Sequence, residues 1–193
     1  DDDYLWNVRG SAYGKKGDYD QAIRDYSEAI RLKPDFNFFY WHQRGSAYGK
    51  KGDYDQAISD YTEAIQVDDK ISSGNVLVMM GLGKAYLSKK DYKNAIKHYN
   101  AVLVLNPDDA HSWYSVGMAN YFFGDLPMAI RTLTEAIRLA PDNPGAWYYR
   151  GMAYRSTGDF EQAISDLSKS IRLDPTYAYT WYYRALAHQE LGN

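Results

Sequence analysis

A segment of fifteen residues occurs twice in this chain without a single change. It reads RGSAYGKKGDYDQAI at Arg9–Ile23 and again at Arg44–Ile58, so the two copies lie 35 residues apart. Self-similarity at a fixed period of about 20–50 residues is the signature of repeat architectures, in which each unit is one supersecondary motif that buries its apolar face against its neighbours. We therefore expect a stack of similar motifs.

The pattern continues along the chain in a weaker form. One register is glycine in five units and alanine in a sixth: Gly10, Gly45, Gly83, Gly117, Gly151 and Ala185. The steps between these markers are 35, 38, 34, 34 and 34 residues. A second register, twelve residues after each marker, is always alanine: Ala22, Ala57, Ala95, Ala129 and Ala163. The registers predict units at about residues 3–37, 38–75, 76–109, 110–143 and 144–177, and a partial unit at 178–193.

Each unit is predicted to contain two α-helices joined by a tight turn. In the first helix, apolar or small residues recur at spacings of three and four, as at Trp147, Gly151 and Tyr154. A glycine suited to the left-handed position after a helix follows in four units: Gly17, Gly52, Gly124 and Gly158. An aspartate then stands where it can cap the second helix: Asp18, Asp53, Asp91, Asp125 and Asp159. Three units add a glutamine placed for a capping box: Gln21, Gln56 and Gln162. Four units close with a proline, and Asp69 takes its place in the second: Pro34, Pro107, Pro141 and Pro175.

This pattern resembles the tetratricopeptide repeat (TPR) family over essentially the whole chain. The first unit carries the family signature at Trp6, Gly10, Tyr13, Gly17, Ala22, Tyr26, Ala29 and Pro34, and the fifth carries it at Trp147, Gly151, Tyr154, Gly158, Ala163 and Pro175. Met79, Lys90 and Asn120 depart from the signature, which has an aromatic residue, a turn glycine and a tyrosine there. The resemblance implies an all-α fold, a right-handed superhelical solenoid of about five helix-turn-helix units plus a terminal helix, in one domain over residues 1–193.

Composition excludes several classes of function. The net charge of -3 disfavours nucleic-acid binding, and the absence of cysteine excludes a disulfide scaffold and thiolate chemistry. The longest apolar runs, Val76–Met80 and Ala101–Leu105, are too short for membrane insertion. The histidines form no spaced ligand set: His42, His98, His111 and His188. We therefore expect no enzymatic activity, no cofactor and no metal. The chain begins with aspartates and has no initiator methionine, so we expect a mature chain or an excised fragment. The compartment stays open: a soluble, cytoplasmic protein is favoured, but an export signal could have been removed.

Comparison of the repeats with one another predicts an ion pair inside three of them. The residue before the marker is an arginine in four units, at Arg9, Arg44, Arg150 and Arg184, and Leu82 or Val116 in the other two. Sixteen residues later, Asp25, Asp60 and Asp166 follow the first three arginines, whereas His98 and Thr132 follow the apolar residues. We predict partly buried Arg–Asp bridges between the two helices of units one, two and five. The alternative is that both groups are solvent-facing charges.

The resemblance implies a concave channel lined by the first helices, where a partner would bind. In units one to three the matching positions are small and polar for the most part: Asn7, Ser11, Gly14, His42, Ser46, Gly49, Met80, Lys84 and Leu87. In the later units they are rich in Tyr, Met and Leu: Tyr114, Met118, Tyr121, Tyr148, Met152, Arg155, Tyr182, Leu186 and Gln189. Tyrosine and methionine suit adaptable interfaces, so we predict that this second set binds an extended or helical peptide with apolar anchors. The alternative is that its rings pack between neighbouring helices and stiffen the solenoid.

The leading functional prediction is a protein–protein interaction scaffold or adaptor. Chaperone-binding members of the family hold a terminal carboxylate with Lys, Asn and Arg, but this chain has Asn7, Ser11, Gln43, Leu77 and Gly81 at those places, so we expect no such clamp. Two alternatives stay open: a structural module that forms homo-oligomers through its terminal helix, and a substrate-recognition arm of a larger enzyme. The polar segment at residues 68–75 is predicted to be an enlarged loop, either a hinge or a harmless surface insertion.

Overall fold

The computed structural model describes residues 2–33, 38–67 and 73–192, except for the side chains of residues 73–75. Within these ranges the chain forms eleven α-helices and no strand. The helices are α1 Asp2–Lys16, α2 Tyr19–Leu32, α3 Phe38–Lys51, α4 Tyr54–Val67, α5 Ser73–Ser88, α6 Tyr92–Leu105, α7 Ala110–Phe123, α8 Leu126–Leu139, α9 Pro144–Thr157, α10 Phe160–Leu173 and α11 Ala178–Leu191. The predicted all-α helical repeat is confirmed.

The helices group into two compact units, Asp1–His98 and Tyr99–Asn193, whose boundary falls inside α6. In the first unit, each helix from α1 to α5 packs on the next, and the first helices of consecutive repeats also touch, α1 against α3 and α3 against α5. In the second unit the same holds from α7 to α11, with contacts of α7 with α9 and of α9 with α11. The predicted repeat boundaries and the single domain stay predictions.

Small residues bring the two helices of a repeat close together. The five alanines of the second register are fully buried. A Cβ atom on Gly117 would lie 2.4 Å from Cγ of Leu133, and one on Gly151 would lie 2.9 Å from Cγ of Leu167. Real Cβ atoms do not approach other atoms so closely, and a packed core resists expansion. Glycine at positions 117 and 151 is therefore a packing requirement of the helix pair.

The turn inside each repeat satisfies the ends of both helices. In the first repeat, Gly17 has a φ of 86°, the backbone N–H of Asp18 donates to the carbonyl of Tyr13 at 3.0 Å, and Asp18 Oδ1 accepts from the N–H of Gln21 at 3.1 Å. The other four predicted aspartate caps form the same bond to the third residue onward. Of the two bonds in the predicted capping box, the structure has the one from the glutamine N–H to the aspartate. The second does not follow, because the aspartate N–H is donated to a carbonyl of the preceding helix. Lys90 takes the glycine position with a φ of 61°.

The prolines that close the repeats also anchor the tryptophans that follow them. The indole N–H groups of Trp113, Trp147 and Trp181 donate to the carbonyl oxygens of the prolines six residues earlier, at 2.7, 2.9 and 3.1 Å. Each bond fixes the start of a first helix to the loop before it. Pro34 and Asp69 lie outside the described residues.

The predicted loop at residues 68–75 is shorter than expected at its second end, because α5 already begins at Ser73. Residues 68–72 lie outside the described part of the chain, and so does the proposed hinge. Among the described helices, none has the length and apolar character that a membrane span requires.

Candidate interaction surface

Six tyrosines of the second unit form a connected cluster between α7, α9 and the start of α11. Ring centroids lie 5.0 Å apart for Tyr148 and Tyr149, 5.4 Å for Tyr148 and Tyr177, and 6.2 Å for Tyr148 and Tyr183. Tyr114 and Tyr121 contact Tyr149 at 6.1 and 5.8 Å. The interplanar angles are tilted or close to perpendicular, which is the geometry that the ring quadrupole favours. We call these six residues the tyrosine cluster.

Two residues predicted to line the channel lie inside this cluster and offer little surface. Tyr148 is 9% exposed and Met152 is 4% exposed, and both pack against the buried Leu167. Burial raises the pKa of Tyr148 well above its usual value. Contact of α9 with both α7 and α11 buries these side chains. For Tyr148 and Met152 the structure therefore matches the alternative interpretation, in which the rings pack between neighbouring helices.

The other predicted positions of the second unit are more accessible but not all free. Tyr114, Met118, Tyr121 and Leu186 are half-buried, Gln189 is exposed, and Tyr182 is 57% exposed. Arg155 is engaged already, because its Nη1 donates to Glu190 at 3.0 Å and its guanidinium lies 5.4 Å from the ring centre of Tyr183. The set therefore divides into two parts. Tyr148 and Met152 form a packed floor, and the remaining, more accessible positions form an open margin.

Sequence reasoning missed several exposed rings beside this floor. Tyr179 is 60% exposed, and Tyr177 and Trp181 are also exposed. The ring of Tyr177 contacts both Tyr148 and Tyr179, and Tyr183 contacts both Tyr148 and Tyr182. An unbroken series of ring contacts thus joins the buried Tyr148 to the exposed Tyr179 and Tyr182. Tyr177 and Tyr179 lie before and at the start of α11, outside the family positions for the channel. The only feature of the sequence that could have indicated these exposed rings was the high density of tyrosine.

The tyrosine cluster borders a cleft of about 340 Å³ in the second unit. It is lined by Tyr114, Asn143, Pro144, Gly145, Tyr148, Tyr149, Ser170, Asp174 and Tyr177. A Cβ atom on Gly145 would lie 2.9 Å from the hydroxyl of Tyr114, so glycine leaves room for that ring. Hydrogen bonds from Thr176 lower the pKa of Asp174, the one carboxylate of the lining.

The predicted channel positions of the first unit differ in chemistry and in accessibility. Asn7 is buried, and its Oδ1 accepts no hydrogen bond from the described residues. His42 is half-buried, its ring lies 5.7 Å from that of Tyr61, and burial lowers its pKa. Met80 is half-buried and Lys84 is exposed. Lys84 lines a cavity of about 100 Å³ with Ser46, Gly49, Lys50, Tyr54, Tyr61, Gly81 and Ala85. This region offers small and polar contacts where the second unit offers rings.

Family models match almost the whole length of the chain. Five tetratricopeptide repeat family models match it, at residues 4–36, 42–110, 110–143, 132–165 and 151–192. The chain belongs to the tetratricopeptide repeat family. A search of the curated proteins found no match.

Several solved structures share the fold of this TPR protein. MamA from Desulfovibrio magneticus RS-1, from residue 41 to the end, superposes with a TM-score of 0.84 at 21% identity, over 92% of this chain and 97% of that one. YrrB, described as a TPR protein with an unusual peptide-binding site, gives 0.80 at 19% identity, over 93% and 90%. A tetratricopeptide repeat protein from Parabacteroides merdae gives 0.84 at 17% identity, over 99% and 74%. At these identities the likeness is one of fold.

Within the TPR repeats, the structure places each predicted arginine against its aspartate. Arg9 donates from Nε and Nη2 to Asp25 at 2.7 and 2.8 Å. Arg44 donates to Asp60 at 2.8 Å through both groups, and Arg150 donates to Asp166 at 2.7 and 2.9 Å. The three aspartates are buried, and the guanidinium groups range from exposed in Arg9 to largely buried in Arg150. Paired donation to both oxygens is the strongest geometry of this type.

Arg44 and Arg150 also reach the preceding repeat, through contacts that were not predicted from the sequence. Nη1 of Arg44 donates to the hydroxyl of Ser27 at 3.0 Å, and Nη1 of Arg150 donates to the hydroxyl of Thr134 at 3.0 Å. Each guanidinium also lies over the ring of the tryptophan three residues earlier, at 4.9 Å from Trp41 and 5.0 Å from Trp147. Both hydroxyls stand seventeen residues after a marker glycine, so the repeat register could have indicated these two contacts.

No group of three or more His, Cys, Asp or Glu side chains in the described part of the chain is arranged to hold a metal ion. Each predicted arginine–aspartate pair is internally satisfied, so these charges act on the packing of the repeats. The second unit combines its cleft with exposed rings at Tyr177, Tyr179 and Tyr182.

Proposed function

We propose that this TPR chain is a protein-interaction module that binds a segment of a partner protein on the second unit. The binding surface consists of the cleft and the exposed rings of Tyr177, Tyr179 and Tyr182. The observation that carries the proposal is the series of ring contacts from the buried Tyr148 to the exposed Tyr179 and Tyr182. Tyr148, at the buried end of this series, packs in the core, whereas Tyr179 and Tyr182 face solvent.

Such an arrangement suits recognition for an energetic reason. Tyrosine presents a large contact area with few rotatable bonds, so little conformational entropy is lost when a partner covers it. Rings that already contact a packed floor lose less still, because their positions are restricted before binding. Exposed aromatic groups gathered at one place also mark interaction sites more often than scattered ones. YrrB, with its peptide-binding site, provides a precedent on the same fold.

The role is that of a scaffold or adaptor, because the surface offers contact area to a partner segment. An extended segment or a single helix would have to place one side chain in the cleft and others across Tyr179 and Tyr182. The mostly small and polar channel positions of the first unit would then be free for a different contact.

A random peptide library displayed against the whole chain tests this proposal. We expect enriched peptides whose affinity falls about tenfold or more for Tyr179→Ser/Tyr182→Ser, the scale of a lost aromatic anchor. Both rings are well exposed, so the double variant should fold, which circular dichroism would check. Tyr4→Ser is the matched control, since Tyr4 is 61% exposed but lies on α1 in the other unit. Failure to enrich any peptide, or equal losses for the control, would overturn the proposal. A mass that rises with concentration would point to self-assembly.

A further inference from the structure

The cleft of the second unit combines aromatic walls with a single ionised edge. Tyr114, Tyr148 and Tyr177 surround it, and the Tyr148 and Tyr177 rings stand 79° apart, so that they form a corner. Burial raises the pKa values of Tyr114 and Tyr148, which keeps both phenols neutral. Their oxygens can therefore donate or accept hydrogen bonds, and their ring faces carry the negative side of the quadrupole.

Asp174 supplies the charge at the edge. Its Oδ1 accepts from the backbone N–H of Thr176 at 3.0 Å and from the Thr176 hydroxyl at 2.6 Å. These bonds hold the carboxylate in place and lower its pKa, so it is ionised at neutral pH. Oδ2 accepts no hydrogen bond from any described residue. No lysine or arginine is among the described residues that line the cleft, so the negative charge there is unopposed.

The helix ends beside the cleft also favour a positively charged ligand. Ser170 and Asp174 come from the last turn of α10 and the residue after it, where the helix dipole places partial negative charge. The start of α9 also borders the cleft, but its first two helical positions offer no free N–H. Pro144 has no N–H, and the N–H of Gly145 is already bonded to Oδ1 of Asn143 at 3.0 Å. An anion in the cleft would therefore meet the charge of Asp174 with only neutral donors, such as the tyrosine hydroxyls, to offset it.

We propose that this cleft binds the side chain of an arginine in the partner segment, with the guanidinium against the tyrosine rings and Asp174 as its counter-ion. This inference rests on the proposed function and specifies one residue of the ligand. It departs from the apolar anchor that the sequence predicts, because an apolar group would cover Asp174 Oδ2 and the phenol oxygens without giving them a partner.

Arginine suits the cleft better than lysine does. The guanidinium is planar and weakly hydrated, so it can lie on an aromatic face while its five N–H groups reach several acceptors. The cleft has the acceptors at different places, on Asp174 and on the tyrosine hydroxyls. A lysine ammonium is compact and strongly hydrated, and would leave part of the volume of about 340 Å³ to water.

Small probes test the cleft on the whole chain. We would titrate butylguanidinium, butylammonium, the uncharged butylurea and the anion pentanoate, following backbone amide signals by NMR. Butylguanidinium should shift the signals of Gly145 and Tyr177 and bind about tenfold more tightly than butylurea, as expected for a cation held by rings and a carboxylate. Butylammonium should bind with intermediate affinity. Equal binding of butylguanidinium and butylurea, or tighter binding of pentanoate, would overturn the proposal.

Two variants assign the effect to named groups. Asp174→Asn keeps an oxygen that can accept from Thr176 and removes only the charge, so it should markedly reduce the preference for butylguanidinium over butylurea and leave only the part due to the rings. Asp142→Asn, an exposed aspartate that does not line the cleft, should leave the preference unchanged. Tyr177→Leu keeps an apolar wall and should weaken butylguanidinium severalfold. An unchanged preference in a folded Asp174→Asn variant contradicts the proposal.

The library peptides separate this inference from the proposed function. If enriched peptides bind and the replacement of their arginine by citrulline weakens them about tenfold, both hold. If they bind and citrulline has no effect, the partner surface is real and the arginine site is wrong. If no peptide binds while butylguanidinium still does, the cleft takes the cation but the peptide-binding function fails.

Discussion

Repeats four and five fill the same buried position with opposite chemistry. In repeat five, Arg150 joins Asp166 across the two helices, and Asp166 is 3% exposed. In repeat four the corresponding residues are Val116 and Thr132, which are 2% and 3% exposed. Thr132 needs no partner on the other helix, because its hydroxyl donates to the carbonyl of Met128 at 2.7 Å. The backbone geometry of the repeat thus accepts either a charged pair or a self-satisfied hydroxyl beside an apolar side chain.

The difference indicates that the identities of the two residues depend on each other. A buried aspartate without its arginine has lost solvation and gained nothing, whereas a buried threonine can use its own helix. Removal of one member of the charged pair should therefore be severe, and exchange of both should be mild. Repeat four provides the natural template for that exchange.

The largest effect is expected from breaking the pair in repeat five. Arg150→Val should destabilise the chain by about 3–5 kcal/mol, because Asp166 is left buried and unpaired. The double variant Arg150→Val/Asp166→Thr copies repeat four and should recover most of this loss, because no charge is left buried, although the bond from Arg150 to Thr134 is also removed. Urea unfolding followed by circular dichroism measures both. If the losses of Arg150→Val and Asp166→Thr simply add in the double variant, the two residues are not coupled and the comparison fails.

The reverse exchange should cost less than a broken pair. Val116→Arg/Thr132→Asp installs the pair in repeat four, where Trp113 already stands three residues before the new arginine. We expect a loss of about 1–4 kcal/mol relative to the parent, since a buried pair seldom equals the packed apolar group that it replaces. Thr132→Asp alone should lose more than the double variant does. A single variant as stable as the double one would show that repeat four cannot form the bridge.

The sequence predicts those parts of the structure that recur. The helix pairs, the aspartate caps and the arginine–aspartate contacts repeat at a fixed register, so each copy supports the others. The burial of Tyr148 and Met152 could not be predicted in this way, because it depends on how closely α9 approaches α7 and α11. The cleft could not be predicted from the sequence for a related reason. Asp174, Gly145 and Tyr114 come from three different elements, and no periodicity joins them.

The third repeat extends the comparison to the turn. Lys90 holds a φ of 61°, where four other turns have glycine. The left-handed conformation costs a residue with a side chain about 1–2 kcal/mol, so Lys90→Gly should raise the free energy of unfolding by up to that amount. The opposite change, Gly158→Lys, should lower it similarly. Urea unfolding of both variants checks the pair, and a loss of stability in Lys90→Gly would contradict the assignment of strain.

A smaller effect is expected at the bridge between repeats. Thr134→Val removes the hydroxyl that accepts from Arg150 and should cost about 0.5–1.5 kcal/mol, the usual net worth of one hydrogen bond. Thr62→Val is the matched control, because Thr62 has the same register but the next repeat has Leu82 in place of the arginine. Its hydroxyl donates only to its own helix, at Ile58. Equal losses at the two sites would show that the arginine bond contributes nothing.

The least effect at neutral pH, and the one that changes with pH, belongs to His98, which stands where repeats one, two and five have aspartate. His98 stacks on Tyr86 with ring centroids 5.5 Å apart, and burial, assisted by Lys97, lowers its pKa from the usual 6.5. The unfolded chain therefore takes up a proton at this residue before the folded chain does. Stability should fall as the pH decreases from about 6.5 toward the folded-state pKa of His98 and then level off. His98→Gln should remove this part of the acid sensitivity and leave the part due to His42, whose pKa is also lowered by burial. Urea unfolding of parent and variant at about pH 8 and about pH 5 measures the difference, and parallel losses in the two chains would show that His98 charges as easily in the fold as in the unfolded state.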